Sequence, residues 1–194
     1  MTQRSLVYLA SRSPRRRELL QQIGVGYRLL DVDVDERPRR DEPPLDYVQR
    51  VAADKAMAGL DAIAGAERLP VLAADTSVVV NGAVLGKPES RDQGVWMLSQ
   101  LADNTHEVYS AVTLSARTTE TRVSVSRVTF RPMDEAEILA YWETGEPVDK
   151  AGGYGIQGLG AQFIKRLEGS YSGVMGLPLF ETAELLRRAG IEIV

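Results

Sequence analysis

The chain has no cysteine and one histidine, His106, among its 194 residues. The first absence removes disulfides, zinc–thiolate sites and thiol nucleophiles together. The second nearly excludes a histidine metal cluster or a Ser-His-Asp triad. A basic excess is missing too: the formal net charge is −4, whereas domains that hold nucleic acid by charge carry a surplus of Lys and Arg. No run of about 18 apolar residues occurs, and no apolar h-region of signal-peptide form opens the chain. The expectation is a cytoplasmic chain with neither nucleic acid nor membrane as partner. What is present is ordinary in bulk, 44% hydrophobic and 26% charged. That is enough to bury a core in one domain over residues 1–194, or in two closely packed lobes around a cleft.

Apolar runs and helical periodicities then divide the chain. Leu6 to Ala10 reads as a buried strand feeding a helix that starts at Ser13 and stops near Gly24. Tyr27 to Val34 reads as a second strand leading into Asp35-Glu36, followed by a charged, proline-bearing loop. Leu45 to about Ile63 is helical and Val71 to Val80 is a strand. Asn81-Gly82 then forms a type I′ turn into Ala83–Gly86. A helix from Gln93 to Leu101, a long hairpin (Val108 to Ala116, Thr121 to Phe130) and a helix from Met133 to Thr144 follow. Pro178 to Ala189 is a closing helix, and Ile191–Val194 reads as a last strand. Strands and helices mix without strict βαβ repetition, which predicts an α/β protein with a mixed sheet.

Several residues conflict with bland packing. Ser13 is a good N-cap and Pro14 a favoured first helical residue, so a helix should start there. Yet Arg12, Arg15, Arg16 and Arg17 crowd an end that already carries positive dipole charge. Free amides, a hydroxyl and guanidiniums at one helix end suit a phosphate-bearing ligand. Asp75 falls inside a strand that reads as buried, which costs several kcal/mol unless it is paired or metal-bound; the bland alternative ends the strand at Ala74. Lys55 lies on the apolar face of its helix, or snorkels from the edge of the core. The Asp35-Glu36 pair offers hard oxygen donors, or is merely solvated. Lys87, in Gly86-Lys87-Pro88, is brought towards Asp75 by the hairpin.

Gly153-Tyr154-Gly155-Ile156-Gln157-Gly158 fits G-x-G-x-x-G formally, but no apolar strand precedes it and Ala161–Leu167 alternates like a strand. A dinucleotide fingerprint is therefore rejected. Either the glycines admit a ligand to backbone amides, with Gln157 donating to and accepting from a base edge, or they form a tight structural loop. Carboxylates without His or Cys favour Mg²⁺ or Mn²⁺ over zinc. Cations, carboxylates and a metal together suit phosphoryl chemistry.

The combination Ala10-Ser11-x-Ser13-Pro14-Arg15-Arg16-x-Glu18-Leu19-Leu20, Ala74-Asp75-Thr76, Gly86-Lys87-Pro88 and Asp149-Lys150-Ala151-Gly152-x-Tyr154-Gly155-Ile156-Gln157-Gly158 resembles the Maf family of nucleoside triphosphate pyrophosphatases. The resemblance runs from Leu6 to about Glu184. It implies an elongated α/β fold of the Maf/ITPase kind, a mixed sheet flanked by helices with a central nucleotide-binding cleft. It also implies a nucleoside triphosphate substrate cut between the α- and β-phosphates, a divalent metal (Mg²⁺ or Mn²⁺) and a homodimer. Carried over by motif, Asp75 is the proton acceptor, and Glu36 with Asp75 holds the metal. Lys55, Lys87, Ser13 and Arg16 bind phosphates, and Lys150 joins the substrate contacts. Arg15, Thr76 and Gln157 match the branch acting on dTTP and UTP, where the 7-methyl-GTP branch typically has Trp, Gln and Glu. That sister activity and a non-enzymatic role in cell-division control are the alternatives. Arg12, where relatives often have Gly, is a minor departure.

Overall fold

The structure, a computed structural model, describes residues 6–65 and 69–193. Its strands are β1 (Leu6–Ala10), β2 (Gly26–Leu30), β3 (Val71–Val80), β4 (Ala83–Leu85), β5 (Thr105–Ser115), β6 (Thr119–Phe130) and β7 (Ile164–Glu168). Its helices are α1 (Pro14–Gln22), α2 (Pro44–Ala62), α3 (Arg91–Leu101), α4 (Glu135–Glu143), α5 (Tyr171–Met175) and α6 (Leu179–Arg188), with three short 3₁₀ turns between α4 and β7. All seven strands form one sheet in the order β2-β1-β3-β5-β6-β7, with β4 also paired to β3. The β1–β2 and β1–β3 pairs are parallel and the others antiparallel. The expected mixed α/β architecture is therefore the one observed.

The pairing of β3 decides where a ligand can enter. One edge is covered by β5 from Val71 to Val79. The other edge meets β1 only over Val71–Ala73 and β4 only over Val78–Val80. Residues 74–77 thus have no strand neighbour on that side, and the sheet is split there. Because side chains alternate along a strand, Ala73 and Asp75 turn towards α2, while Ala74 and Thr76 turn towards α1 and α5. On the α2 side, Ala10, Ala56, Val71 and Ala73 form one cluster, and Tyr47, Val48, Val51 and Ala111 another. The opposite side carries two larger clusters. One joins Leu19, Leu20, Leu72, Val112 and Leu186. The other joins Val78, Leu98, Val108, Phe130 and Tyr154.

Local departures from the sequence reading have definite causes. The second strand stops at Leu30 and not Val34, because its partner β1 ends where Ala10 faces Leu30. No closing strand forms over Ile191–Ile193; Ile191 donates its amide to the Leu186 carbonyl, and Ile191 and Ile193 pack on the first large cluster. Val194 lies outside the described residues. α3 starts two residues early because the Ser90 hydroxyl accepts from the Gln93 amide, and α4 starts behind a capping box of Asp134 and Glu137. Asn81 and Gly82 both have positive φ, 51° and 77°, as a type I′ turn requires. The alternation over Ala161–Leu167 is only half a strand: a 3₁₀ turn runs to Phe163 before β7 begins. α5, capped by the Ser170 hydroxyl on the Gly173 amide, had no clear sequence signal.

Candidate active site

The split in the sheet opens into a cleft of about 1070 Å³, just above the roughly 300–1000 Å³ usual for ligand sites. The ten residues to which the resemblance assigns a role all line it: Ser13, Arg15, Arg16, Glu36, Lys55, Asp75, Thr76, Lys87, Lys150 and Gln157. Three elements of different origin meet there. The end of β1 with the start of α1 forms one wall, and the bare edge of β3 the floor. The loops after β4 and α4 form the far wall.

Asp75 is the pivot. The strand does not end at Ala74; Asp75 pairs in register with Ala111 and is 6% exposed. Its carboxylate accepts from Lys55 Nζ at 2.9 Å, and the same ammonium lies 2.8 Å from Glu36 Oε1. Lys55 is therefore a buried bridge between two carboxylates and not a snorkelling side chain. The acidic pair divides its duties. Asp35 turns outward, bound at both oxygens by Arg37, which holds its carboxyl well below the ordinary range. Glu36 turns inward. Burial works to raise its carboxyl, but the hydrogen bond and charge of Lys55, with Lys87 and Arg16, keep it below the ordinary value.

Two residues that the sequence did not flag fix this loop. The Tyr47 hydroxyl donates to the Glu36 carbonyl at 2.8 Å, and burial with the charges of Asp75 and Glu36 pushes its phenol up to about 12. Arg50 donates to the Arg37 carbonyl at 3.1 Å while gripping Glu42 at 2.6 and 2.9 Å. On α2, Tyr47, Arg50 and Asp54 recur three and four residues apart, which is the only trace of this scaffold in the sequence.

The helix start behaves differently from expectation in one respect. Ser13 does precede α1, but its hydroxyl makes no capping bond, so hydroxyl and first-turn amides stay available to the cleft. Arg16 is partly committed: its Nε donates to the Gly176 carbonyl at 2.7 Å and a terminal nitrogen donates to Ser11 Oγ at 3.1 Å. Burial draws its guanidinium below the usual value, against the opposing pull of Asp75 and Glu36. Its remaining N–H groups can still reach a ligand. Arg15 lies 3.9 Å from Asp149, and Arg12 is paired with Asp31. Arg17 lies outside the cleft. The four arginines therefore do not act as a single fork, and Arg12 adds little free charge.

On the far wall Lys87 is exposed and forms no ion pair among the described residues. It arrives from a loop, since the ladder stops at Val78 opposite Leu85. Lys150 Nζ donates to the Glu146 carbonyl at 2.6 Å and to Asp149 at 2.7 Å. Thr76 shares its hydroxyl with Ser110 Oγ at 3.0 Å and donates to the Gly176 carbonyl at 3.3 Å, so it ties β3 to α5 at the cleft edge. Gln157 stands exposed at the mouth. The glycines around it are required by packing: a Cβ on Gly158 would lie 2.1 Å from Glu146, and one on Gly160 2.6 Å from the Tyr141 hydroxyl. Of the two readings of this loop, the tight structural turn accounts for those positions.

Among the described residues no three His, Cys, Asp or Glu side chains converge as a metal cage. Two carboxylates do converge, Glu36 and Asp75, already sharing one cation. That donor set fits a hard divalent ion that takes its other ligands from water and phosphate oxygens.

No helix among the described residues is long and apolar enough to cross a membrane. A family model described as Maf-like protein matches residues 6–189. A protein of Alkalilimnicola ehrlichii named dTTP/UTP pyrophosphatase is 55% identical over 183 residues, covering 93% of this chain and 91% of the relative. One of the same name from Saccharophagus degradans is 55% identical over 182 residues, covering 93% and 87%. Among solved structures, the Ham1 protein of Staphylococcus aureus aligns with a TM-score of 0.47 at 19% identity, over 82% of this chain and 80% of that one.

Proposed function

The chain belongs to the Maf-like protein family, and from that premise we propose that it hydrolyses dTTP and UTP to the monophosphate and pyrophosphate. The observation that carries this is the meeting, at the one bare stretch of β3, of the Asp75–Lys55–Glu36 bridge with the uncapped start of α1. Basic and acidic groups line one cleft there. The names of relatives at about half identity support the pyrimidine triphosphate as substrate.

In this reading the α1 amides, Ser13 and the free N–H groups of Arg16 hold the triphosphate at one wall, and Lys87 meets it from the other. Asp75 accepts a proton from the water that attacks the α-phosphate, and pyrophosphate leaves towards the cationic groups. General-base help of this kind is worth roughly 10²–10⁴ in rate. Lys55 holds Asp75 and Glu36 in place before substrate arrives, so the carboxylate is pre-oriented. Glu36 and Asp75 would hold Mg²⁺ or Mn²⁺, which, when bound, screens the charge gathering on the phosphate oxygens. Gln157 presents an amide, both donor and acceptor, to the pyrimidine edge, with Arg15, Thr76 and Lys150 as further substrate contacts in the same cleft. Assembly as a homodimer in the cytoplasm is part of the same proposal.

Pyrophosphate release across UTP, dTTP, CTP, GTP and 7-methyl-GTP, with ³¹P NMR of the products, tests it. The expectation is UTP and dTTP turned over fastest, yielding monophosphate and pyrophosphate. Preference for 7-methyl-GTP, or release of orthophosphate, would overturn it.

A further inference from the structure

Gln157 lies on a loop whose shape is set from beneath by one carboxylate. Glu146, half-buried in the cleft wall, accepts from the Tyr141 hydroxyl at 2.7 Å and the Gly160 amide at 3.0 Å through Oε1. Its Oε2 accepts from the Leu159 amide at 2.8 Å. The buried Tyr141 hydroxyl in turn accepts from the Gly155 amide at 3.2 Å. Both ends of the segment carrying Gln157 are thus fastened to a single Glu146–Tyr141 pair. The loop also closes on that carboxylate in space, since any side chain at Gly158 would strike it. Burial would raise the Glu146 carboxyl, yet the Gly160, Tyr141 and Leu159 donors keep it below its ordinary value, so it serves as acceptor only.

None of these bonds involves the α1, β3 or Lys87 groups placed around the triphosphate. That separation gives the loop a distinct task. An amide such as that of Gln157 can turn over to match either pyrimidine edge, so what it selects depends on how firmly its backbone is held. We propose that Glu146 is a positioning residue for base selection: it fixes the 155–160 loop so that Gln157 discriminates among pyrimidines without touching the substrate itself. The inference rests on the pyrimidine triphosphate reading above.

The test compares wild type, Glu146→Gln and Tyr141→Phe in steady-state hydrolysis of UTP and CTP, with inorganic tripolyphosphate as a competitive inhibitor lacking any base. Gln places an NH₂ where two acceptor oxygens are needed, so at least one loop bond is lost. Losing one such bond corresponds to about tenfold in binding. The expected result for Glu146→Gln is a KM for UTP raised about tenfold with kcat held within about twofold. Its preference for UTP over CTP should fall in step, and tripolyphosphate inhibition should be unchanged. Tyr141→Phe, which keeps the ring packing and removes the hydroxyl with its bonds to Glu146 and the Gly155 amide, should shift the same quantities in the same direction; it carries the test alone if Glu146→Gln does not fold. Unchanged KM and unchanged UTP/CTP preference would overturn the proposal. So would tripolyphosphate inhibition weakened by the same factor as UTP binding, since Glu146 would then support the whole cleft. Wild type that hydrolyses neither pyrimidine triphosphate would instead defeat the functional reading, and with it this proposal, before any variant is compared.

Discussion

Replacing Lys55 with Met removes the ammonium from between Glu36 and Asp75 while keeping most of the apolar stem. The Lys55 and Asp75 side chains are 12% and 9% exposed, whereas Glu36 is 50% exposed. Stripping one partner from a buried pair costs about 3–5 kcal/mol. The Glu36 side of the bridge, half in water, contributes nearer the 0–1 kcal/mol of surface pairs. The loss should therefore be about 3–4 kcal/mol, carried almost wholly by Asp75 left facing another carboxylate. For a chain of this length each kcal/mol moves the melting temperature by about 2–4 °C, so Lys55→Met should melt roughly 10 °C lower in a chelator-treated buffer. Added Mg²⁺ or Mn²⁺ should recover much of that fall in the variant and raise wild type less, since the cation takes over the neutralisation that Lys55 performs. Thermal unfolding followed by circular dichroism reads both effects. A variant melting within about 2 °C of wild type would mean that the bridge contributes little to the fold, against this expectation. A fall that divalent cations leave untouched would contradict it as well.

Two further outcomes follow from the packing. His106 is buried with Nε2 2.8 Å from the Tyr154 hydroxyl, and burial lowers its imidazole to about 4. The unfolded chain takes up that proton near 6.5, so His106 contributes stability above 6.5 that is lost as pH falls from 6.5 towards 4, up to about 3 kcal/mol. His106→Gln should flatten that part of the urea-midpoint profile; parallel profiles would contradict it. Gly94 lies on α3 where a Cβ would sit 2.0 Å from the Trp142 ring. Gly94→Ala should lose more to overpacking, about 1–3 kcal/mol, than the roughly 1 kcal/mol it gains in helix propensity. A raised denaturation midpoint would show that Trp142 yields freely.

The misfit residues were the legible part of the site. A carboxylate inside an apolar strand and a lysine on an apolar helix face each implied an absent partner, and each proved to be the other's. Periodicity likewise gave β1, α1, α2, β3 and the Asn81-Gly82 turn. What stayed hidden depended on partners far away in the chain. Arg16 reads as a free phosphate ligand, yet it spends Nε on a carbonyl 160 residues distant. The second strand reads through to Val34 because nothing local reveals that its ladder partner is β1, which ends where Ala10 faces Leu30. Glu146 and Tyr141 look like ordinary helix-end residues until the 155–160 loop folds over them. The split along β3, which makes the cleft, is a property of pairing and leaves no mark on a single strand's sequence.

Hydrolysis of UTP by Asp75→Asn, measured beside nucleotide binding by the same protein, bears most directly on the enzymatic account. Asn keeps the shape and leaves Lys55 paired with Glu36, so the fold and triphosphate binding should survive. The account predicts turnover reduced by about 10²–10⁴ with binding retained. Turnover kept above about a tenth of wild type would contradict it, since the proton from the attacking water would then have another destination.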